Sequence, residues 1–257
     1  MKLYMENKMG LKILSNKPFN KDTYTVVHTE SSLKLNDIEK NIIDTHWQEF
    51  LQKAKSKGAK QWDGTFYRIE NIQNIISGSK ELIFSTIKYS QARGIKDDPN
   101  ILTKFQTNDI STTSLIRTID GYFIFGVRNS NSMSKSRIDL IGGGLQESEL
   151  VVNSFSDIFK NELKEIQEEI GLKEKEITNI DGIGIIQSKL SNVLFVFFTQ
   201  LNKSRSEVLD IFIKNDDDEM VGLDFIEEKY LKIYLKDKRD YRPLTGELYF
   251  RNIRKGM

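Results

Sequence analysis

Residues 137–172 constrain this chain more than any other stretch. Arg137-Ile138-Asp139-Leu140-Ile141 has the make-up of a short strand, Gly142-Gly143-Gly144 follows it directly, and the stretch ends in Lys164-Glu165-Ile166-Gln167-Glu168-Glu169-Ile170-Gly171-Leu172. A loop without Cβ atoms lets the backbone approach a ligand closely. The final run reads as a helix over 155–170, because Phe159, Leu163, Ile166 and Ile170 recur on one face. Ser154 or Ser156 is expected to cap it and Gly171 to close it. Glu165, Glu168 and Glu169 are expected on or beside the opposite face.

Glutamates at i, i+3 and i+4 repel one another by a few tenths of a kcal/mol per pair. Alone, such a run reads as a solvated face, with Lys160, Lys164 and Lys173 in pairing distance along the chain. The glycine loop upstream changes the reading. A divalent cation between the carboxylates relieves their repulsion, and hard oxygen ligands in that number suit Mg²⁺ or Mn²⁺, with water and phosphate oxygens completing the shell. The combination points to an enzyme.

The rest of the chain narrows the chemistry. It has 257 residues, enough for one large or two small domains, and its 38 Lys+Arg nearly balance 37 Asp+Glu. No global field recruits nucleic acid or an anionic membrane. There is no cysteine, so thiolate nucleophiles and Cys-based metal sites are excluded; His28 and His46 are the two histidines and are expected to be structural or surface residues. The longest apolar run, Val193 to Phe198, is too short to span a bilayer, and Met1 to Glu6 lacks a signal-peptide hydrophobic region, so a cytoplasmic location is expected.

Two units are expected, 1–108 and 109–257. In the first, Tyr24 to His28 reads as a strand and Asp37 to Lys57 as an amphipathic helix stopped by Gly58. Phe66 to Ile72 and Glu81 to Tyr89 alternate like paired strands. Gly94 to Asp109, polar and carrying Pro99, reads as the linker. In the second unit, Asp120-Gly121 marks a hairpin between Thr113–Thr118 and Tyr122–Val127. Ile177–Gln187 and Asn192–Thr199 read as another, and the segments 223–236 and 243–253 are expected to include the last helices.

Lys164 to Leu172 resembles the second half of the Nudix hydrolase box, G-x5-E-x7-R-E-U-x-E-E-x-G-U with U a bulky aliphatic. Glu165, Glu168 and Glu169 match its glutamates, and Gly171-Leu172 its end. Lys164 stands where arginine is usual, and keeps the charge without the bidentate fork. The first-half glutamate is either Glu147 or Glu149; counted from Glu149, the interval is seven residues longer than the box allows. This stretched form is similar to the eukaryotic Nudix proteins that hydrolyse UDP-glucose and UDP-galactose. Trp47, the run Trp62 to Arg68, and Ser85 to Tyr89 resemble their N-terminal region.

The resemblance implies an α/β (α+β) fold: a Nudix α/β/α sandwich with a mixed sheet, preceded by a smaller α+β domain. It implies a Mg²⁺-dependent pyrophosphohydrolase (Mn²⁺ as an alternative) that cleaves a UDP-sugar to UMP and sugar 1-phosphate. Glu168 and Glu169 are the implied metal ligands with the Gly144 carbonyl, and Glu165 the ligand or base. Gly143, Gly144 and Arg128 are expected around the diphosphate. Arg137 is a further cation candidate, and Tyr67, Tyr89 and Trp62 are candidates to stack on the base. Glu207, Asp210, Asp216 to Glu219 and Asp224 are candidate downstream acids. ADP-ribose or another nucleoside diphosphate derivative is the alternative substrate, and a non-catalytic nucleotide-binding module the alternative role. The expected partner is a small nucleotide-sugar, with neither nucleic acid nor membrane, on a monomer or homodimer.

Overall fold

The computed structural model of the chain describes residues 11–58, 62–129, 138–216, 219–236 and 242–254. Its elements are β1 (Lys12–Ser15), β2 (Thr25–His28), α1 (Asp37–Ser56), β3 (Thr65–Ile69), α2 (Ile72–Ser77), β4 (Glu81–Lys88), α3 (Tyr89–Asp97) and α4 (Pro99–Lys104), followed by β5 (Ile110–Arg117), β6 (Tyr122–Arg128), β7 (Ile138–Asp139), α5 (Ser156–Ile170), β8 (Ile177–Gln187), β9 (Val193–Leu201), α6 (Arg205–Phe212), β10 (Met220–Glu227), α7 (Glu228–Tyr234) and α8 (Arg242–Asn252). Seven strands make a sheet of order β1-β8-β9-β5-β6-β10, with β7 also on β6; β2-β4-β3 form a second sheet. Both sheets are mixed: β5 runs parallel to β9 and β2 to β4, while the other pairs are antiparallel.

Side-chain alternation explains why the larger sheet is covered on both faces. Along β9, Val193, Phe195 and Phe197 pack with Phe155 just before α5, with Ile158 and Phe159 of α5, and with Ile69, Leu82 and Phe84 of the small sheet. Leu194, Val196 and Phe198 point the other way, against Leu231 of α7 and Leu244, Leu248 and Tyr249 of α8. A strand buried on both sides reads as a continuous apolar run, which is how 193–198 reads. Helices on both faces of a mixed sheet make this the expected α/β sandwich. Among the described residues no helix is long and apolar enough to cross a membrane.

Two sequence expectations need correcting. Residues 94–109 contain the end of α3 and all of α4 rather than a linker. Pro99 starts α4, where a missing N–H costs nothing, and the Asp98 carboxylate accepts from Asn100 N and Ile101 N at 2.8 and 2.9 Å. Both helices are short and owe their burial to tertiary packing, with Ala92, Ile95 and Ile101 closing on Ile43 of α1. Neither Ser154 nor Ser156 caps α5. The Asp157 carboxylate inside its first turn instead accepts from the N–H groups of Asn153 and Ser154. The segments 223–236 and 243–253 do include the last helices, with Leu223 to Glu227 completing β10 ahead of α7.

The chain before residue 108 also contributes β1 to an edge of the seven-stranded sheet. What joins the two sheets most directly is the segment 141–147. Its carbonyls at Ile141 and Gly143 accept from Ser114 and Thr112 of β5 at 2.8 and 2.9 Å. Two residues further on, Tyr67 N donates to the Leu145 carbonyl, and Glu147 N to that of Thr65. The glycine loop is thereby pinned between β5 and β3, directly over α5.

Candidate active site

Gly142 and Gly143 are glycines for different reasons. Gly142 has φ +146° and a Cβ there would overlap the Thr112 carbonyl, so both conformation and space forbid a side chain. At Gly143 a Cβ would overlap the Glu165 carboxylate. The loop and the glutamate helix, far apart in sequence, are therefore in contact at the atoms that matter. Gly144 lies against the Phe66 ring of β3.

The three box glutamates do not share one environment. Glu165 and Glu169 are buried, together with Glu162, while the Glu168 side chain is 51 % exposed. All three were expected on or beside the face opposite the apolar one, and of them Glu168 is the one left in water. Residues at i, i+3 and i+7 form one helical stripe, and Glu162, Glu165 and Glu169 fall on it, turned toward β5 and the glycine loop.

Glu169 accepts a hydrogen bond from Gly142 N at 2.9 Å and faces Arg128 Nη2 at 3.4 Å. Burial nonetheless raises its pKa well above the ordinary carboxylate range, with Arg128 and the Gly142 N–H opposing the shift. Burial likewise raises Glu165 to about 7, partly offset by Lys164.

Lys164 takes the place of the expected arginine by a different geometry. Its ammonium lies 2.7 Å from Glu149, 3.1 Å from Glu165 and 2.7 Å from Glu168. Burial works against its charge, but the hydrogen bonds to Glu149 and Glu168 and the field of Glu165 outweigh it and raise its pKa. Three rotatable donors thus replace a planar fork. Of the two first-half candidates, Glu149 is the one that meets the helix.

Arg128 ends β6 and was expected at a phosphate. Its guanidinium faces three carboxylates: Glu169, Asp139 at 3.6 Å, and Glu219. Glu219 is thereby the described downstream candidate that joins the network. Glu207 caps α6 with Ser204, and Asp224 accepts from the Tyr234 hydroxyl at 2.8 Å. Asp216 is exposed, and Asp210 lies on the exposed side of α6. Asp217, Asp218 and Arg137 lie outside the described residues.

The aromatic candidates separate as well. Tyr67 is buried in the core, where its hydroxyl accepts from Val152 N at 3.2 Å. Tyr89 packs among Trp47, Phe50 and Trp62. Trp62 is 47 % exposed, with its ring centroid 5.8 Å from that of Phe66, the ring that abuts Gly144. His28 contacts the Val152 carbonyl and His46 lies beside Glu49 and Asp98, both away from the glutamate stripe.

The donor set fits a hard divalent cation: carboxylates in surplus, a side-chain-free backbone bend, and no competing thiol or imidazole. Among the described residues no three acidic or histidine side chains already converge as a finished cage. Lys164 draws Glu168 outward, and Arg128 with Gly142 N–H holds Glu169.

Sequence reasoning missed Glu162, Asn161, Thr112 and Asp139. The stripe spacing from Glu162 to Glu165 and Glu169 was the available signal for the first; for Thr112 and Asp139 there was none.

No family model matches the chain, and no curated protein matches it at a significant level. Solved structures align with part of it. The MutT protein from Methanosarcina mazei Go1 is 16 % identical over 56 % of this chain and 95 % of its own, with a TM-score of 0.40. DR0079 from Deinococcus radiodurans is 13 % identical over 72 % of this chain and 99 % of its own, at 0.46. A NUDIX hydrolase from Nitrosomonas europaea is 14 % identical over 56 % and 88 %, at 0.36. At these values the likenesses carry no functional assignment.

Proposed function

We propose that the chain is a divalent-cation-dependent Nudix pyrophosphohydrolase acting on a nucleoside diphosphate linked to a second group, with a UDP-hexose such as UDP-glucose or UDP-galactose as substrate and UMP plus sugar 1-phosphate as products. The observation that carries the reading is the contact between the glycine loop and the buried Glu165 and Glu169 carboxylates. Lys164 and Arg128 only partly offset the burial of these carboxylates, and a divalent cation held there would add positive charge.

In this reading Glu165, Glu168 and Glu169 hold Mg²⁺ or Mn²⁺ with backbone of the glycine loop. The ion, when bound, neutralises charge on the diphosphate oxygens. Glu165, against the glycine loop and beside Lys164, is either a ligand or the base that takes a proton from water. Arg128 orients Glu169 from one side and the Gly142 N–H from the other. Lys164 orders Glu149, Glu165 and Glu168. Trp62, exposed beside Phe66 and the loop, offers its ring to the base.

The test is a panel of UDP-glucose, UDP-galactose, ADP-ribose and other nucleoside diphosphate derivatives, incubated with Mg²⁺ or Mn²⁺ in ¹⁸O-labelled water. UMP release that vanishes in Glu168→Gln and Glu169→Gln supports the proposal. Release of AMP from ADP-ribose with UDP-hexoses intact would move the substrate assignment to that alternative, and an intact panel overturns hydrolysis altogether. One observation favours a second reading, that of a nucleotide-binding module without turnover. The Lys164 ammonium already sits among three carboxylates. Tight nucleotide binding with no products would select it.

A further inference from the structure

A cavity lies away from the glutamate helix. Its volume is about 500 Å³, within the range of small-molecule sites, and three separate parts of the chain wall it: β1 with the loop after it, α2 with the turn from Gly78 to Lys80, and α8. β1 is an edge of the seven-stranded sheet, with β8, β9 and β5 between it and β6, the strand that ends in Arg128. The lining includes none of the box glutamates, the glycine-loop residues or Arg128.

The walls are held by the protein's own hydrogen bonds. Asn252 Nδ2 donates to the Asn16 carbonyl at 3.1 Å and ties α8 to the loop after β1. Thr25 N donates to the Lys80 carbonyl at 2.7 Å and ties the turn after α2 to β2. Ile13, Ile75, Ile76 and the ring of Tyr24 give the cavity an apolar side.

Its charged groups are unbalanced. Three cations, Lys17, Lys80 and Arg251, line it against one carboxylate, Glu247, which lies 3.6 Å from the Arg251 guanidinium. Lys17 and Lys80 have no ion-pair partner among the described residues. Over the whole chain basic and acidic side chains nearly cancel, 38 against 37, so this surplus is local. Ser79 adds a hydroxyl whose oxygen accepts from Glu81 N at 3.1 Å, which leaves its proton for a ligand. A single surface lysine is a solvated charge. Two unpaired ammonium groups and a guanidinium around one partly apolar cavity are instead complementary to a dianion with several acceptor oxygens.

We propose that this cavity binds a small phosphate-bearing molecule, its phosphate met by Lys17, Lys80 and Arg251 and its body resting on Ile13, Ile76 and the Tyr24 ring. The ligand class is a phosphomonoester of the size of a mononucleotide or a sugar phosphate. A carboxylate brings one charge and two oxygens, fewer than the cations present can use. The site is independent of the hydrolase reading, because the cavity and the glutamate site share no residue.

The experiment is isothermal titration calorimetry of the full chain in chelator, with uridine 5′-monophosphate and glucose 1-phosphate as probes and amide shifts of the ¹⁵N-labelled protein to locate them. At least one probe is expected to bind saturably, with shifts at Asn16, Gly78 and Ser79, and to bind more weakly as salt is added. The double variant Lys17→Gln with Lys80→Gln is expected to weaken binding by about tenfold or more, and Arg251→Gln likewise. All three side chains are exposed, so the fold is not at stake. Glu169→Gln is expected to bind as the wild type does. Unchanged affinity in the cation variants overturns the site. So does affinity lost in Glu169→Gln, which would place the probe at the glutamates, and so does the absence of binding by either probe at millimolar concentration. Sedimentation with phosphatidylglycerol vesicles while both soluble probes fail to bind would transfer the cations to a lipid headgroup and overturn the small-molecule assignment.

Discussion

Two glutamate-bearing helices treat their carboxylates in opposite ways. At the start of α6, Glu207 accepts from the Ser204 backbone N–H at 2.9 Å and its hydroxyl at 2.8 Å, with Lys203 at 3.1 Å, and the backbone hydrogen bond leads in lowering its pKa to about 2. On α5, Glu162, Glu165 and Glu169 are buried and all shift upward, with burial the leading cause in each. The residue type is the same. What differs is the supply of donors and water around it. A capping glutamate is finished by its own turn, whereas the buried α5 carboxylates lean on Lys164 beside them and on Arg128 and the Gly142 N–H from other elements.

The largest expected effect separates these two regions outright. Glu169→Gln should lower hydrolysis by about 10³-fold, the scale of several kcal/mol of lost charge stabilisation, and a chelator should abolish wild-type turnover until Mg²⁺ is restored. Steady-state kinetics checks both. Undiminished activity in the variant would remove the functional difference between the helices.

The pH dependence comes next, because its sign differs between them. The Glu165 carboxyl has an ordinary value of 4.5 and about 7 in the folded chain. Between these values the folded state holds the extra proton, so metal-free stability should fall as pH rises through that window, by up to ~3 kcal/mol. Urea unfolding in chelator across this range measures it, and Glu165→Gln should flatten the slope. Glu207 acts in reverse: its contribution is present above 4.5 and lost as pH falls through about 2.

Trp62→Ala probes how far the site extends beyond α5. It should raise KM for the nucleotide about tenfold with kcat nearly unchanged, as expected when one base–aromatic stack is lost. Equal KM values would take Trp62 out of the site. The smallest effect is on α6 itself. Ser204→Ala removes a cap and should cost about 1 kcal/mol of stability in thermal or urea unfolding while leaving turnover alone. Lost activity there would contradict the division between the two helices.

Much of this was legible before any coordinates. The hairpin turn at Asp120-Gly121, the end of α1 at Gly58 and the closure of α5 at Gly171 follow from local chemistry, and each glycine has positive φ. The helices at 89–104 were not legible, because their apolar residues are few and become decisive only once α1 lies over them. Arg128 was recognised as a candidate, but its carboxylate partners come from Asp139, Glu169 and Glu219, three separate parts of the chain. Glu162 was passed over because one more glutamate in a Glu-rich helix carries no mark of burial.

By itself the amino-acid order determined that a glycine bend precedes a helix bearing glutamates at fixed spacing, since backbone propensity and periodicity act over a few residues. Only the tertiary structure decided which of those glutamates are sealed beneath the bend and which is left in water. That outcome depends on β5, β3 and β6 closing around α5, and a carboxylate's charge answers to everything packed against it rather than to its neighbours along the chain.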